Sequence, residues 1–200
     1  MNKNCLLCGV GGQGVILASK LIAYAAMEKG LQVRTTETIG MSQRGGSVVS
    51  HVRMGEAVHS PMIPKGKADI LLAFEPAEAV RNLVYLREGG VVVVNRKAVK
   101  SAASTLSQDG YQGPEMLEFL SRQNLRLYVA DGEALCAQAG SPKVLNVALL
   151  GAAAASKALD LTPGDLETQI RRKVKPSYVD MNLKALALGA KVEKEGRPSR

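Results

Sequence analysis

The feature that most constrains this sequence is a glycine turn set between an apolar run and a helix-forming run. Cys5-Leu6-Leu7-Cys8 reads as a strand, Gly9-Val10-Gly11-Gly12-Gln13-Gly14 as the turn, and Val15 to Met27 as a helix closed by Gly30. Strand, turn and helix in that order point to a layered α/β fold. They also leave unpaired N–H groups at the helix start, where those donors and the helix dipole favour an anion. Gly9, Gly11 and Gly14 satisfy the G-x-G-x-x-G spacing of dinucleotide-binding turns. The same glycines also suit a turn that only lets a helix pack closely on a strand. The pattern alone therefore names no ligand.

The segment after this helix extends the unit. Leu31 to Glu37 is β-prone, and it predicts a second strand joined to the first by a right-handed parallel crossover. Glu37 falls at the end of that strand, where dinucleotide folds place an acid for the ribose hydroxyls. A second glycine-rich loop comes next, Thr38 to Gly46, carrying Gln43, Arg44, Gly45 and Gly46. Two such loops leaving the carboxyl ends of adjacent strands are expected to converge on one crevice. Arg44 offers a fork for phosphate or carboxylate, or equally an ion pair at a subunit interface.

The rest of the chain continues the alternation. Ser47 to Met54 reads as a strand with Val48, Ser50, Val52 and Met54 on one face and a structural His51 on the other. Ala57 to Ser60 suggests a short antiparallel return, and Ala68 to Phe74 a central strand. Glu75-Pro76 opens a helix with Ala79, Leu83 and Leu86 inward and Gly89-Gly90 as its stop. Val91 to Asn95 is a strand apolar on both faces, as in a covered sheet. Residues 96–113 read as a loop, Pro114 to Gln123 as a helix and Leu125 to Ala130 as a strand. Asp131 is placed to cap a helix from Gly132 to Ala139. The run from Val144 to Ala155 is apolar nearly all round, which predicts a buried helix, and Asn146 inside it needs a partner or a ligand. Thr162 caps a further helix, and Tyr178 to Leu188 forms the last. The expectation is one α/β domain, Rossmann-like and doubly wound. Its sheet is mostly parallel with helices on both faces, a core over about 3–160, and a helical C-terminal extension over about 161–200.

Bulk properties narrow the function classes. No apolar run approaches the ~20 residues a membrane helix needs. The Met-Asn-Lys-Asn-Cys start does not resemble a secretory signal, so a cytoplasmic location is expected. The net charge is +8, and residues 171–200 hold nine Lys/Arg against Asp180, Glu193 and Glu195, so the remainder is close to balanced. With no Trp, five Tyr and two Phe, the chain has little to stack on bases, and nucleic acid is a poor partner. The three cysteines, Cys5, Cys8 and Cys136, are one short of ordinary iron–sulfur ligation and read as buried thiols. With only two histidines, a metal site is not expected.

The two loops together resemble a known family. Gly9-Val10-Gly11-Gly12-Gln13-Gly14 and Glu37-Thr38-Ile39-Gly40-Met41-Ser42-Gln43-Arg44-Gly45-Gly46-Ser47-Val48 look like the signature of the 2-oxoacid:ferredoxin oxidoreductase gamma-type subunit or domain. Within it the chain is most similar to the small (beta) subunit of indolepyruvate ferredoxin oxidoreductases. Supporting matches are Ser50-His51-Val52-Arg53, Ala68-Asp69, Glu75-Pro76 and Asn146-Val147 before Leu150-Gly151. The resemblance covers about residues 5–155.

The resemblance implies a subunit of a complex that oxidatively decarboxylates a 2-oxoacid, such as indolepyruvate or another aryl pyruvate, to an acyl-CoA, CO2 and reduced ferredoxin. It implies thiamine diphosphate with Mg, iron–sulfur clusters and CoA, the redox cofactors being held by a large alpha subunit and the isolated chain being inactive. On this reading Gly9, Gly11, Gly12, Gln13, Gly14, Glu37, Gln43, Arg44, Gly45 and Gly46 form loops that receive CoA phosphate or dock the partner. No catalytic residue is named. The stoichiometry stays open between a heterodimer, a higher assembly and, for the isolated chain, a homodimer. Two other classes remain: a free-standing NAD- or FAD-binding oxidoreductase, and a regulatory nucleotide-binding module.

Overall fold

The computed structural model describes residues 2–39, 45–99 and 113–196. Its centre is a six-stranded sheet built from β1 (Lys3–Val10), β2 (Gln32–Ile39), β3 (Ser47–Gly55), β4 (Ala68–Ala73), β5 (Leu86–Asn95) and β6 (Arg126–Ala130). The strand order is β2-β3-β1-β4-β5-β6. β1, β4, β5 and β6 form a parallel set, while β3 pairs antiparallel with both β1 and β2.

Period-two patterning makes this sheet two-sided. On one face Cys5, Leu7, Ile70, Leu72, Val91 and Val93 pack beneath α1 (Val15–Glu28), α4 (Gly132–Ala139), α5 (Leu145–Ala155), α6 (Pro163–Lys173) and α7 (Pro176–Gly189). On the other, Leu6, Cys8, Leu71, Ala73, Val92 and Val94 pack against α2 (Pro76–Asn82) and α3 (Gly113–Ser121). The doubly wound α/β architecture is as expected. Helix α1 leaves β1 toward one face and α2 leaves β4 toward the other, so the carboxyl ends of these neighbouring strands diverge and open a crevice.

Several sequence expectations change. The crossover from β1 through α1 does not end beside β1, because β3 occupies that place and β2 becomes the outer strand. The two glycine loops therefore leave strands that are not adjacent. Local pattern specifies a strand but not its neighbour, and the β2–β3 pairing returns the chain into the slot between β1 and β2. The helix after Glu75 stops at Asn82 and a single 3-10 turn comes after it, so Leu86, Gly89 and Gly90 belong to β5 instead. No strand forms over Ala57 to Ser60. The loop expected over 96–113 lies mostly outside the described residues.

The C-terminal helices are part of the main layer. Gly151 of α5 faces the Leu186 carbonyl of α7, and Gly189 faces the Ala148 carbonyl, so these helices meet backbone to backbone. Helix α6 begins with a full capping box in which the Thr162 and Asp165 side chains each accept from the other's backbone N–H. Beyond α7, Glu195 N–H donates to Leu127 O at 2.8 Å, which lays the tail along the outer edge of β6. No helix among the described residues is long and apolar enough to cross a membrane.

Candidate functional site

The site is built where the parallel strands end. After β1, Gln13 N–H donates to Val10 O at 3.2 Å and closes a four-residue turn with Gly12 at φ +98°. The Gln13 side chain then locks it: its Oε1 accepts from Val10 N–H at 2.7 Å and its Nε2 donates to Phe74 O at 3.2 Å. Gly9 must lack a side chain, since a Cβ there would lie 2.7 Å from Gln13 Oε1 and 2.8 Å from Phe74 Cβ. Gly14 caps α1 in the left-handed region at φ +84° and makes no side-chain cap hydrogen bond to the first turn.

The second glycine loop reaches the first through one bond. Gly11 N–H donates to Gly46 O at 2.9 Å. Gly45, at φ +78°, precedes that junction. On the opposite side of the crevice Glu75 caps α2, its carboxylate accepting from Glu78 N–H at 2.9 Å. Glu78 is itself buried, accepts from Ser47 Oγ at 2.7 Å, and pairs with Arg81.

A chain of amides crosses all four strand ends. Phe74 O, at the end of β4, accepts from Gln13 after β1 and from Asn95 Nδ2 at the end of β5, at 3.3 Å. Asn95 Oδ1 accepts from Gly132 N–H after β6 at 3.2 Å. Gln13 and Asn95 then line a cavity of about 620 Å³ with Lys97, Gly132, Cys136 and Leu145, and Lys97 pairs with Glu133 at its rim. Burial pushes the Cys136 thiol up, which keeps it in the unreactive protonated form.

The structure thus brings Gly9, Gly11, Gly12, Gln13 and Gly14 into one turn and joins Gly45 and Gly46 to it. Glu37 stands apart. Its carboxylate faces α1, accepts from Ser19 Oγ at 3.4 Å, and lines a separate groove of about 270 Å³ with Lys20 and Tyr24. Gln43 and Arg44 lie outside the described residues. Sequence reasoning missed Asn95 and the cavity beside it, although an amide ending the Val91–Val94 run was the available signal. It did single out Asn146, which is buried with its Nδ2 against Gly14.

His51 is structural, as expected. Its Nδ1 accepts from Ile63 N–H at 3.3 Å, and its ring meets Tyr85 edge-on at 5.5 Å. Burial lowers its pKa. Cys5 and Cys8 are fully buried free thiols within β1, and burial raises both pKa values.

Comparison with known proteins agrees with this geometry. The sequence profile of the family described as Pyruvate ferredoxin/flavodoxin oxidoreductase matches residues 4–192. Indolepyruvate oxidoreductase subunit IorB of Archaeoglobus fulgidus is 39% identical over 202 residues, covering 100% of this chain and 99% of that protein. The IorB subunit of Pyrococcus horikoshii is 38% identical over 194 residues, covering 96% of each. The crystal structure of a keto/oxoacid ferredoxin oxidoreductase gamma subunit from Geobacter sulfurreducens superposes with a TM-score of 0.71 over 94% of each chain, at 23% identity. With nearly its whole length matched by the family profile and by full-length relatives, the chain belongs to the pyruvate ferredoxin/flavodoxin oxidoreductase family.

Proposed function

We propose that this chain is the small subunit of a 2-oxoacid:ferredoxin oxidoreductase acting on indolepyruvate or a related aryl pyruvate, and that its carboxyl-end crevice completes the CoA site of a larger, cofactor-bearing partner. The substrate is taken from the names of the full-length relatives. The role of the crevice rests on the junction of Gly11 N–H with Gly46 O, which sets both glycine loops beside the uncapped start of α1. Glycine backbone and free N–H groups at a helix start suit a phosphate.

The chain's own residues do not fit the redox cofactors. Cys5 and Cys8 are sealed in the core with their thiolates disfavoured, so they do not suit cluster ligation. Asp165, in the single Gly-Asp pair, is committed to Thr162 and Lys29 at the start of α6 and is not free to hold the metal of thiamine diphosphate. These groups are therefore assigned to the partner, where they supply the electron sink and one-electron carriers. A free-standing NAD enzyme fits less well, because Glu37 turns onto α1 and β3 separates β2 from β1.

Gly12→Asp in the assembled complex tests the reading. A Cβ on Gly12 meets nothing within 4 Å, so the change adds charge beside the donors and backbone strain, without a clash. Gly12→Asn carries the same strain and no charge. The expected result is a rise of about tenfold or more in KM for CoA with Asp, a much smaller one with Asn, and intact assembly. Weakened assembly, with an unchanged KM for CoA in the complexes that still form, would assign the loop to docking instead.

A further inference from the structure

The cavity beside the glycine turn has a floor and walls of different chemistry. Its floor includes Gln13 and Asn95, whose carboxamides are held by the strand ends. Each amide nitrogen carries two N–H groups and gives one to Phe74 O. Each amide oxygen has two lone pairs; Gln13 Oε1 spends one on Val10 N–H, and Asn95 Oδ1 one on Gly132 N–H. Among the described residues, a donor and an acceptor therefore remain on each carboxamide. The walls are the apolar side chains of Val99, Ala137, Pro142 and Leu145. At the rim Lys97 pairs with Glu133, both side chains being more than half exposed. The volume, about 620 Å³, falls within the roughly 300–1,000 Å³ of small-molecule sites.

We infer that this cavity is an adenosine pocket, and that Lys97 at its rim takes a phosphate carried on the ribose. The inference rests on the reading of the glycine turn as a phosphate-receiving loop and extends it. Gln13 both closes that turn and lines the cavity, so a nucleotide with its phosphates on the turn has its base within reach of the cavity. A carboxamide pairs with adenine at two points, donating to N7 and accepting from the 6-amino group. Guanine carries an oxygen in place of that amino group and loses the second bond. The apolar walls suit the faces of the base. CoA bears a phosphate on its ribose 3′ oxygen, which NAD, FAD and ADP lack, and a cation at the mouth of a base pocket suits that group. Glu133 already holds Lys97, so the phosphate competes with a carboxylate for one cation.

The test uses the full chain with adenosine 3′,5′-bisphosphate, 5′-ADP and 5′-GDP, titrated by calorimetry at constant ionic strength. All three carry two phosphoryl groups, so bulk charge is closely matched. The bisphosphate should bind about tenfold or more tighter than 5′-ADP, and 5′-ADP clearly tighter than 5′-GDP. Ala137→Phe fills the cavity from an exposed position. It should keep the wild-type melting temperature and lose about tenfold or more in affinity for both adenine nucleotides. Lys97→Gln should bring the bisphosphate down to the level of 5′-ADP. Glu133→Gln, which frees Lys97, should tighten the bisphosphate and leave 5′-ADP unchanged.

A chain that binds none of these nucleotides, that binds 5′-GDP as well as 5′-ADP, or whose affinities ignore Ala137→Phe overturns the pocket. Equal affinity for the bisphosphate and 5′-ADP overturns the role of Lys97 and assigns the cavity to a plain adenine nucleotide. Failure of the CoA reading alone shows as an unmoved KM for CoA in Gly12→Asp with the Ala137→Phe loss intact. Failure of the pocket alone leaves the Gly12→Asp effect in place while Ala137→Phe changes nothing.

Discussion

At the scale of the residue, single side chains fix the ends of strands. Gln13 uses both ends of its amide to close its own turn and to hold Phe74 O, and Asn95 takes the second position on that carbonyl. The link across these strand ends is thereby made by amides, which do not titrate. His51 is one residue through which stability does depend on pH. Burial lowers its folded-state pKa below the unfolded value, so the unfolded chain binds the proton more readily. Stability from this group is complete above the unfolded value, near 6.5, and is lost as pH falls toward the folded value. Thermal melts between roughly pH 7.5 and 5 should show a declining Tm in the wild type, flattened in His51→Gln, whose amide keeps an acceptor for Ile63 N–H. An unchanged slope in the variant would show that other groups govern the acid limb.

At the scale of the element, most boundaries arise from local chemistry and were legible in the sequence. Asp131 caps α4, Thr162 opens α6 with a capping box, and the glycine turn leads from β1 into α1 as its residues demand. The end of α2 was not legible. Residues 83–86 keep an apolar pattern compatible with a helix, yet β5 begins at Leu86 because parallel pairing with β4 takes up that segment. The close meeting of α5 and α7 was only partly legible, since small residues at Gly151–Ala155 permit close approach without naming the partner. Gly189→Ala should destabilise the chain by about 3 kcal/mol in urea unfolding, because the methyl would enter the Ala148 carbonyl of α5. A loss below about 1 kcal/mol would mean that the two helices separate freely, contrary to the packing described.

At the scale of the whole molecule, the sheet order is what the sequence concealed. A strand–turn–helix–strand pattern is shared by folds in which β2 lies beside β1 and by this one, where β3 intervenes. Pairing is decided by contacts distant in sequence, such as the β3 register on β1 that sets His51 opposite Leu6. The consequence for the site is specific. Glu37 is carried to the outer strand and turned onto α1, while Gly46 is returned to meet Gly11. The candidate site was legible as a pair of glycine loops. Its amide ladder through Phe74 and Asn95 was not, because the ladder exists only once four strand ends are aligned.

The central claim is that this chain works as one part of a larger oxidoreductase. The most direct measurement is anoxic affinity purification of the tagged chain from its native host, with an assay of dye reduction dependent on both indolepyruvate and CoA. The account predicts a larger, brown, iron-bearing partner in the eluate. It also predicts activity that is lost when the chain is stripped from the partner and restored when the chain is returned. A lone colourless chain that binds NAD or FAD saturably, with no partner and no oxoacid-dependent reduction, would contradict it.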